Sequence, residues 1–214
     1  MISLMDLMLG LIDFIINIDK YIGIMITNFG YLSYGILFLI IFLETGLVLT
    51  PFLPGDSLIF ISGTFAGMGN FNLFLLWILF SLAAILGDSL NYFIGNYFGE
   101  KIFLKFKFFK KEHLDSTKDF YVNHGGKTII FARFIPFIRT FAPFVAGVAK
   151  MDYKKFLSYN IIGGIIWVSL FLFMGYYFGK IPWVEKNLTL VIFIIILTSI
   201  APAIFEYFRV KKKR

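Results

Sequence analysis

The chain contains no cysteine, which excludes a disulfide framework and any thiol chemistry. Histidine is almost as scarce. His113 and His124 both fall in a charged segment, so no metal cluster is expected. Charged residues make up only 15% of the 214, against about 25% in an average soluble domain. No nucleophile–base pair stands out, so an enzyme is not expected, and nothing calls for a cofactor. The N-terminus lacks the basic region and small-residue cleavage site of a signal peptide. Proline occurs six times, and four of the six sit in two short stretches, TPFLPGD (50–56) and ARFIPFIRTFAP (132–143).

Apolar side chains are abundant: 59% of residues are hydrophobic and 20% aromatic, and the mean hydropathy is +0.83. The apolar runs are continuous rather than alternating, which indicates an all-α polytopic membrane protein and not a β-barrel. The length suits one compact membrane domain.

The net charge of +7 is unevenly spread. Seven lysines lie in 100–127, three in 150–155, and five basic residues in 209–214. By the positive-inside rule these segments are cytoplasmic. Contact with anionic lipid heads accounts for them. Nucleic acid is not an expected partner, because no binding fold accompanies the patches.

This charge pattern implies a path. Only residues 128–149 separate two cytoplasmic clusters, so that stretch enters and leaves on one side as a re-entrant hairpin, turning near Pro136 and Pro143. Residues 156–179 then cross outward, 188–208 cross back, and the tail 209–214 ends inside. In the first half, 72–98 runs inward to the lysines of the 100–127 segment. Residues 31–68 before it are broken at Pro51, Pro54 and Gly55 and read as a second hairpin, entering from outside. Residues 1–30 read as an amphipathic interfacial helix, with Asp6, Asp13, Asn17 and Lys20 at helical spacing; which side it lies on stays open.

The halves resemble each other. TPFLPGDSLIFISGTFAGM (50–68) aligns with IPFIRTFAPFVAGVAKM (135–151), and GDSLNYFIGNYFGEK (87–101) with the segment ending LFLFMGYYFGK (170–180). Inverted repeats with broken helices are a transporter pattern, with substrate and ion sites at the break.

Four charges fall inside the hairpins: Glu44 and Asp56 in the first, Arg133 and Arg139 in the second. Each unpaired ionisable residue at mid-membrane costs about 2.5–3.5 kcal/mol, so the four are expected to converge. Arginine offers a permanently charged fork for phosphate or carboxylate, and a buried carboxylate can carry a proton. Together they suggest an anion site coupled to protonation, with Arg133 and Arg139 holding the anion and Glu44 and Asp56 the proton. Equally, the same charges could only lock the hairpins together. Asp88 and Asn91, in GDSLNYF, are candidate accessory residues; Asp88 reads as a polar partner for the hairpin backbone or as a group with a role in proton passage. Gly163 and Gly164 suit close helix packing. Trp77, Trp167 and Trp183 read as partly interfacial.

At this point the motifs resemble a known family. FLETGLVLTPFLPGDSLIFISG, GDSLNYFIGNYFG and FARFIPFIRTFAPFVAGVAKM are similar to three blocks of the DedA family, also called the SNARE-associated or VTT domain, over roughly residues 30–180. The resemblance implies a multi-pass inner-membrane protein with a cytoplasmic C-terminus and two facing re-entrant hairpins. It also implies flipping of an anionic lipid, undecaprenyl phosphate or a phospholipid, in dependence on proton motive force. The family's essential acids fall on Glu44 and Asp56 and its essential arginines on Arg133 and Arg139. The residues alone leave open a proton-coupled small-ion antiporter and a non-transporting scaffold or assembly factor. The oligomeric state is not legible.

Overall fold

The computed structural model describes residues 18–47, 55–105, 126–187 and 190. Pro51 and Pro54, residues 1–17, most of the 100–127 segment, nearly all of 188–208 and the basic tail lie outside them. Among the described residues every regular element is helical. The helices are α1 (Ile18–Phe29), α2 (Leu32–Gly46), α3 (Gly55–Gly67), α4 (Leu73–Lys105), α5 (126–132), α6 (Pro136–Val148), α7 (Tyr153–Phe178) and α8 (Pro182–Lys186).

Two of these have the length and composition to cross a membrane: Leu73–Gly99 within α4, and Tyr153–Phe178. They run antiparallel. The Trp77 indole N–H donates to Ser169 Oγ at 2.8 Å, whereas further along α4 the Ile85 carbonyl accepts from Asn160 Nδ2 at 3.0 Å. Their outward faces are apolar. Leu82, Leu86, Leu90 and Phe93 are exposed on α4, and Ile162, Ile166, Leu170 and Phe173 on α7. The buried residues, by contrast, include Glu44, Asp88, Arg133, Arg139 and Asn160. Apolar outside and ionisable inside is the arrangement a bilayer demands, because lipid cannot solvate a charge.

The short helices lean on the two long ones in a crossed pattern. In the first half α2 packs on α4 and α3 on α7; in the second, α6 packs on α4, while Ile130 and Arg133 at the end of α5 lie against Gly163 of α7. Both ends of 31–68 meet at one end of the bundle, where Tyr34 Oη accepts the Asn72 N–H at 2.7 Å. Gly69, at φ +87, supplies the left-handed turn between α3 and α4. The far end of α6 meets the opposite end of the bundle, where the Tyr92 hydroxyl donates to the Met151 carbonyl.

The close approaches obey a common rule. A Cβ on Gly63 would lie 2.2 Å from the Leu172 carbonyl oxygen, and one on Gly147 would lie 2.1 Å from that of Tyr92. Conversely, a Cβ on Gly175 would meet Phe60 O at 1.9 Å, and one on Gly95 would meet Phe144 O at 2.1 Å. The α3–α7 contact and the α6–α4 contact are thus built alike, each with a glycine of either helix against a backbone carbonyl of the other. Glycine is required at all four places because backbone there touches backbone.

Two expectations need adjustment. The second break occupies residues 133–135, and Pro136 opens α6, where its missing N–H costs nothing. Pro143 is not part of the turn but lies inside α6, one helical repeat beyond Arg139, whose carbonyl therefore lacks its usual donor. The α4 helix itself runs past the apolar span to Lys105.

Candidate functional site

Where the short helices break, they deliver charge to the centre of the bundle. Glu44 stands in the last turn of α2, Asp56 in the first turn of α3, Arg133 just after α5 and Arg139 in the first turn of α6. Glu44 is fully buried, Arg133 is 2% exposed and Arg139 5%. The expected convergence therefore occurs, but in two clusters rather than one.

In the first cluster Arg139 forks two acids. Its Nη1 donates to Asp56 Oδ1 at 2.6 Å and its Nη2 to Glu44 Oε1 at 2.5 Å. Asp56 Oδ1 also accepts the Trp167 indole N–H at 2.9 Å, and the guanidinium carbon lies 4.7 Å from the centre of the Trp167 ring, within cation–π range. Glu44 Oε1 further accepts the Gly55 N–H at 3.1 Å, so the carboxylate caps α3 at its positive end. Two carboxylates against one guanidinium leave this cluster one negative charge in excess when all are ionised.

In the second cluster Arg133 faces Asp88, not Glu44 or Asp56. Arg133 Nη2 donates to both the Asp88 carboxylate and the Asn160 side-chain oxygen. Asn160 is oriented in turn by its Nδ2, which donates to the Ile85 carbonyl and to Ser89 Oγ. The arginine lies across Gly163 and Gly164, where added Cβ atoms would come within 3.1 and 3.5 Å of it. Those glycines make room for a guanidinium. Charge is balanced one to one in this cluster, and both side chains are at most 2% exposed.

Asn91 makes a third kind of link. Its Nδ2 donates to the Thr45 carbonyl at 3.3 Å and the Thr140 carbonyl at 2.7 Å, joining α2, α4 and α6 through backbone. Several buried atoms have no hydrogen-bond partner among the described residues: Glu44 Oε2, Asp88 Oδ1, Arg133 Nε and Nη1, and Arg139 Nε. Such atoms are expensive unless a proton or ligand engages them.

Sequence reasoning missed Asn160 and Trp167. Asn160 was detectable as the single amide between Tyr159 and the glycine pair of an otherwise apolar crossing. Trp167 carried no signal of its own; far from interfacial, it is completely buried.

The VTT domain family matches residues 50–177, which spans Asp56, Asp88 and both arginines. Protein DedA of Escherichia coli K12 is 51% identical over 212 residues, covering 97% of each chain. The chain belongs to the DedA family. An uncharacterized membrane protein of Mycobacterium tuberculosis is 40% identical over 84% of this chain and 80% of the relative. The inner membrane protein YghB of E. coli is 32% identical over 72% and 71%. No solved structure matches. As a DedA-family member the chain is a membrane protein.

Proposed function

We propose that this DedA-family protein flips a lipid-linked phosphate, undecaprenyl phosphate or a phospholipid, across the cytoplasmic membrane with the help of a proton. One observation carries the reading: Arg139, deep in the bundle, is shared by two carboxylates from the two arms of a broken helix pair. A guanidinium is the natural partner of a phosphate head, and the carboxylates that hold it in the empty protein are the natural proton carriers. Arg133, held at the other break, is the second cation of the site, and the lipid tail stays in the bilayer.

The same reading treats 31–68 and 128–149 as re-entrant hairpins of an inverted repeat. Its supports are the antiparallel α4 and α7, the paired glycine contacts, and the meeting of both ends of 31–68 at one end of the bundle while the far end of α6 lies at the other. The lysine clusters orient the C-terminus to the cytoplasm. Alternating access then follows from exchanging the two halves' positions around a fixed centre.

The test is transport by purified protein in liposomes, comparing undecaprenyl phosphate with phosphatidylethanolamine, with and without a pH gradient. Arg139→Gln is expected to abolish flipping; undiminished flipping by that variant refutes the site. The competing reading, a proton-coupled cation antiporter, draws on the surplus carboxylate of the Arg139 cluster. It requires that transport survive loss of Arg139 and ignore lipid phosphate.

A further inference from the structure

We propose that Glu44 is a built-in stand-in for the substrate's anionic head: its carboxylate occupies the anion site, and protonating it opens that site. This deepens the lipid-phosphate reading and rests on it. The site is built from backbone as well as side chains. Glu44 Oε1 takes the Gly55 N–H at the positive end of α3 and Arg139 Nη2 together. These are the two kinds of donor that recognise a phosphate. The space at Gly55 is filled by the carboxylate oxygens: a Cβ on residue 55 would stand 1.8 Å from Glu44 Oε2 and 2.7 Å from Oε1, and would displace the carboxylate from this position. Glu44 Oε2 and Arg139 Nε, both buried, remain without partners among the described residues, so the site has unused capacity on both sides of the ion pair.

The two acids of the cluster are not equivalent. Each has an oxygen held twice, Asp56 Oδ1 by Arg139 and Trp167, but Asp56 belongs to α3 itself and so anchors the arginine. Glu44 arrives from the other arm, across the break, and can withdraw without moving α3. The charged groups facing Glu44 are Arg139 from α6 and Asp56 from α3; Asp88 of α4 is occupied by Arg133. When Glu44 takes up a proton, it loses its attraction to both Arg139 and the helix end. A singly charged phosphate oxygen pair then replaces it with no change in the net charge of the site. One proton therefore enters per negative charge bound. The anion and the proton travel together, and the coupling resides in competition for one set of donors.

The experiment uses Trp167 as reporter, in full-length protein with Trp77→Phe and Trp183→Phe, titrated in detergent micelles with farnesyl phosphate and separately with inorganic phosphate. Between about pH 6 and pH 8 the affinity should weaken up to about tenfold per pH unit more steeply than in the Glu44→Gln variant, as one linked proton requires. The phosphate's own ionisation acts on both proteins alike and cancels in that difference. At the upper pH, Glu44→Gln should bind at least about tenfold tighter than its parent. Asp56→Asn should keep the parental slope. Gly55→Ala, with its Cβ where the oxygens sit, should lose binding at every pH, the opposite sign to Glu44→Gln. Matching thermal unfolding curves check the fold of each variant. Binding by inorganic phosphate with the same slope assigns recognition to the head group, and binding by farnesyl phosphate alone assigns it to the lipid phosphate; both support the gate. Binding with identical slopes in parent and Glu44→Gln overturns the gate and leaves the substrate reading intact. Failure of every variant to bind either probe overturns both.

Discussion

Replacing Asp88 with alanine leaves a buried guanidinium with a single polar contact. Arg133 is 2% exposed, and its described partners are only the Asp88 carboxylate and the Asn160 amide oxygen, both on Nη2. Its Nε and Nη1 have none among the described residues. Removing one member of a buried ion pair typically costs about 3–5 kcal/mol, mostly the desolvation of the charge left behind. Asp88→Ala is expected at that level. Asp88→Asn keeps the shape and one acceptor, and should lose only the charge-assisted part of the bond, about 1.5–3 kcal/mol. If the cost is an orphaned charge, removing the second charge returns it. Asp88→Leu combined with Arg133→Met should then lie within about 1 kcal/mol of the parent or above it. Equilibrium unfolding in mixed micelles of dodecyl maltoside and SDS, followed by tryptophan fluorescence, measures all three together with the single variants Asp88→Leu and Arg133→Met; thiol-reactive dyes have no cysteine to report on. Asp88→Ala within about 1 kcal/mol of the parent, or a double variant as unstable as the summed single variants, would refute the pairing. Flipping by the stable double variant then adds a second answer: its loss assigns Arg133 to the substrate, beyond any locking role.

Gly63→Ala and Gly147→Ala place a Cβ about equally deep in backbone, 2.2 and 2.1 Å from the opposing carbonyls. Overpacking of this kind costs about 1–3 kcal/mol, so the two should destabilise alike in the same unfolding assay; one neutral variant would break the equivalence of the two contacts. Trp167→Phe deprives Asp56 of its indole donor and should cost about 1.5–3 kcal/mol, as for a hydrogen bond to a charged group. Trp183→Phe, at a residue 57% exposed, should stay within about 0.5 kcal/mol.

The legible and illegible parts of the site divide by range of interaction. Glu44, Asp56, Arg133 and Arg139 could be named from sequence because charge in an apolar run is costly wherever it lies, whatever its partner. Their pairing could not. Arg139 reaches Glu44 across 95 residues and Arg133 reaches Asp88 across 45, and any neutral combination of the same groups balances charge equally well on paper. Pro136 and Pro143 look alike in sequence as helix breakers. Which one marks the turn depends on where residues 133–135 leave α5, a matter of packing against α7. Asn160 and Trp167 are residue types that membrane helices carry for many reasons, and only their neighbours give them a role.

Composition and charge placement alone determined that this is a helical membrane protein and which ionisable residues must be sheltered, because those follow from the free energy of transfer into lipid, which each segment meets separately. The tertiary structure alone decided that the charges form two clusters of different balance and that Glu44 sits on the end of α3. It also decided that glycines on four helices let the helices meet backbone to backbone in two similar contacts. Those outcomes depend on which donors face which acceptors within a few ångströms, and no single segment contains that information.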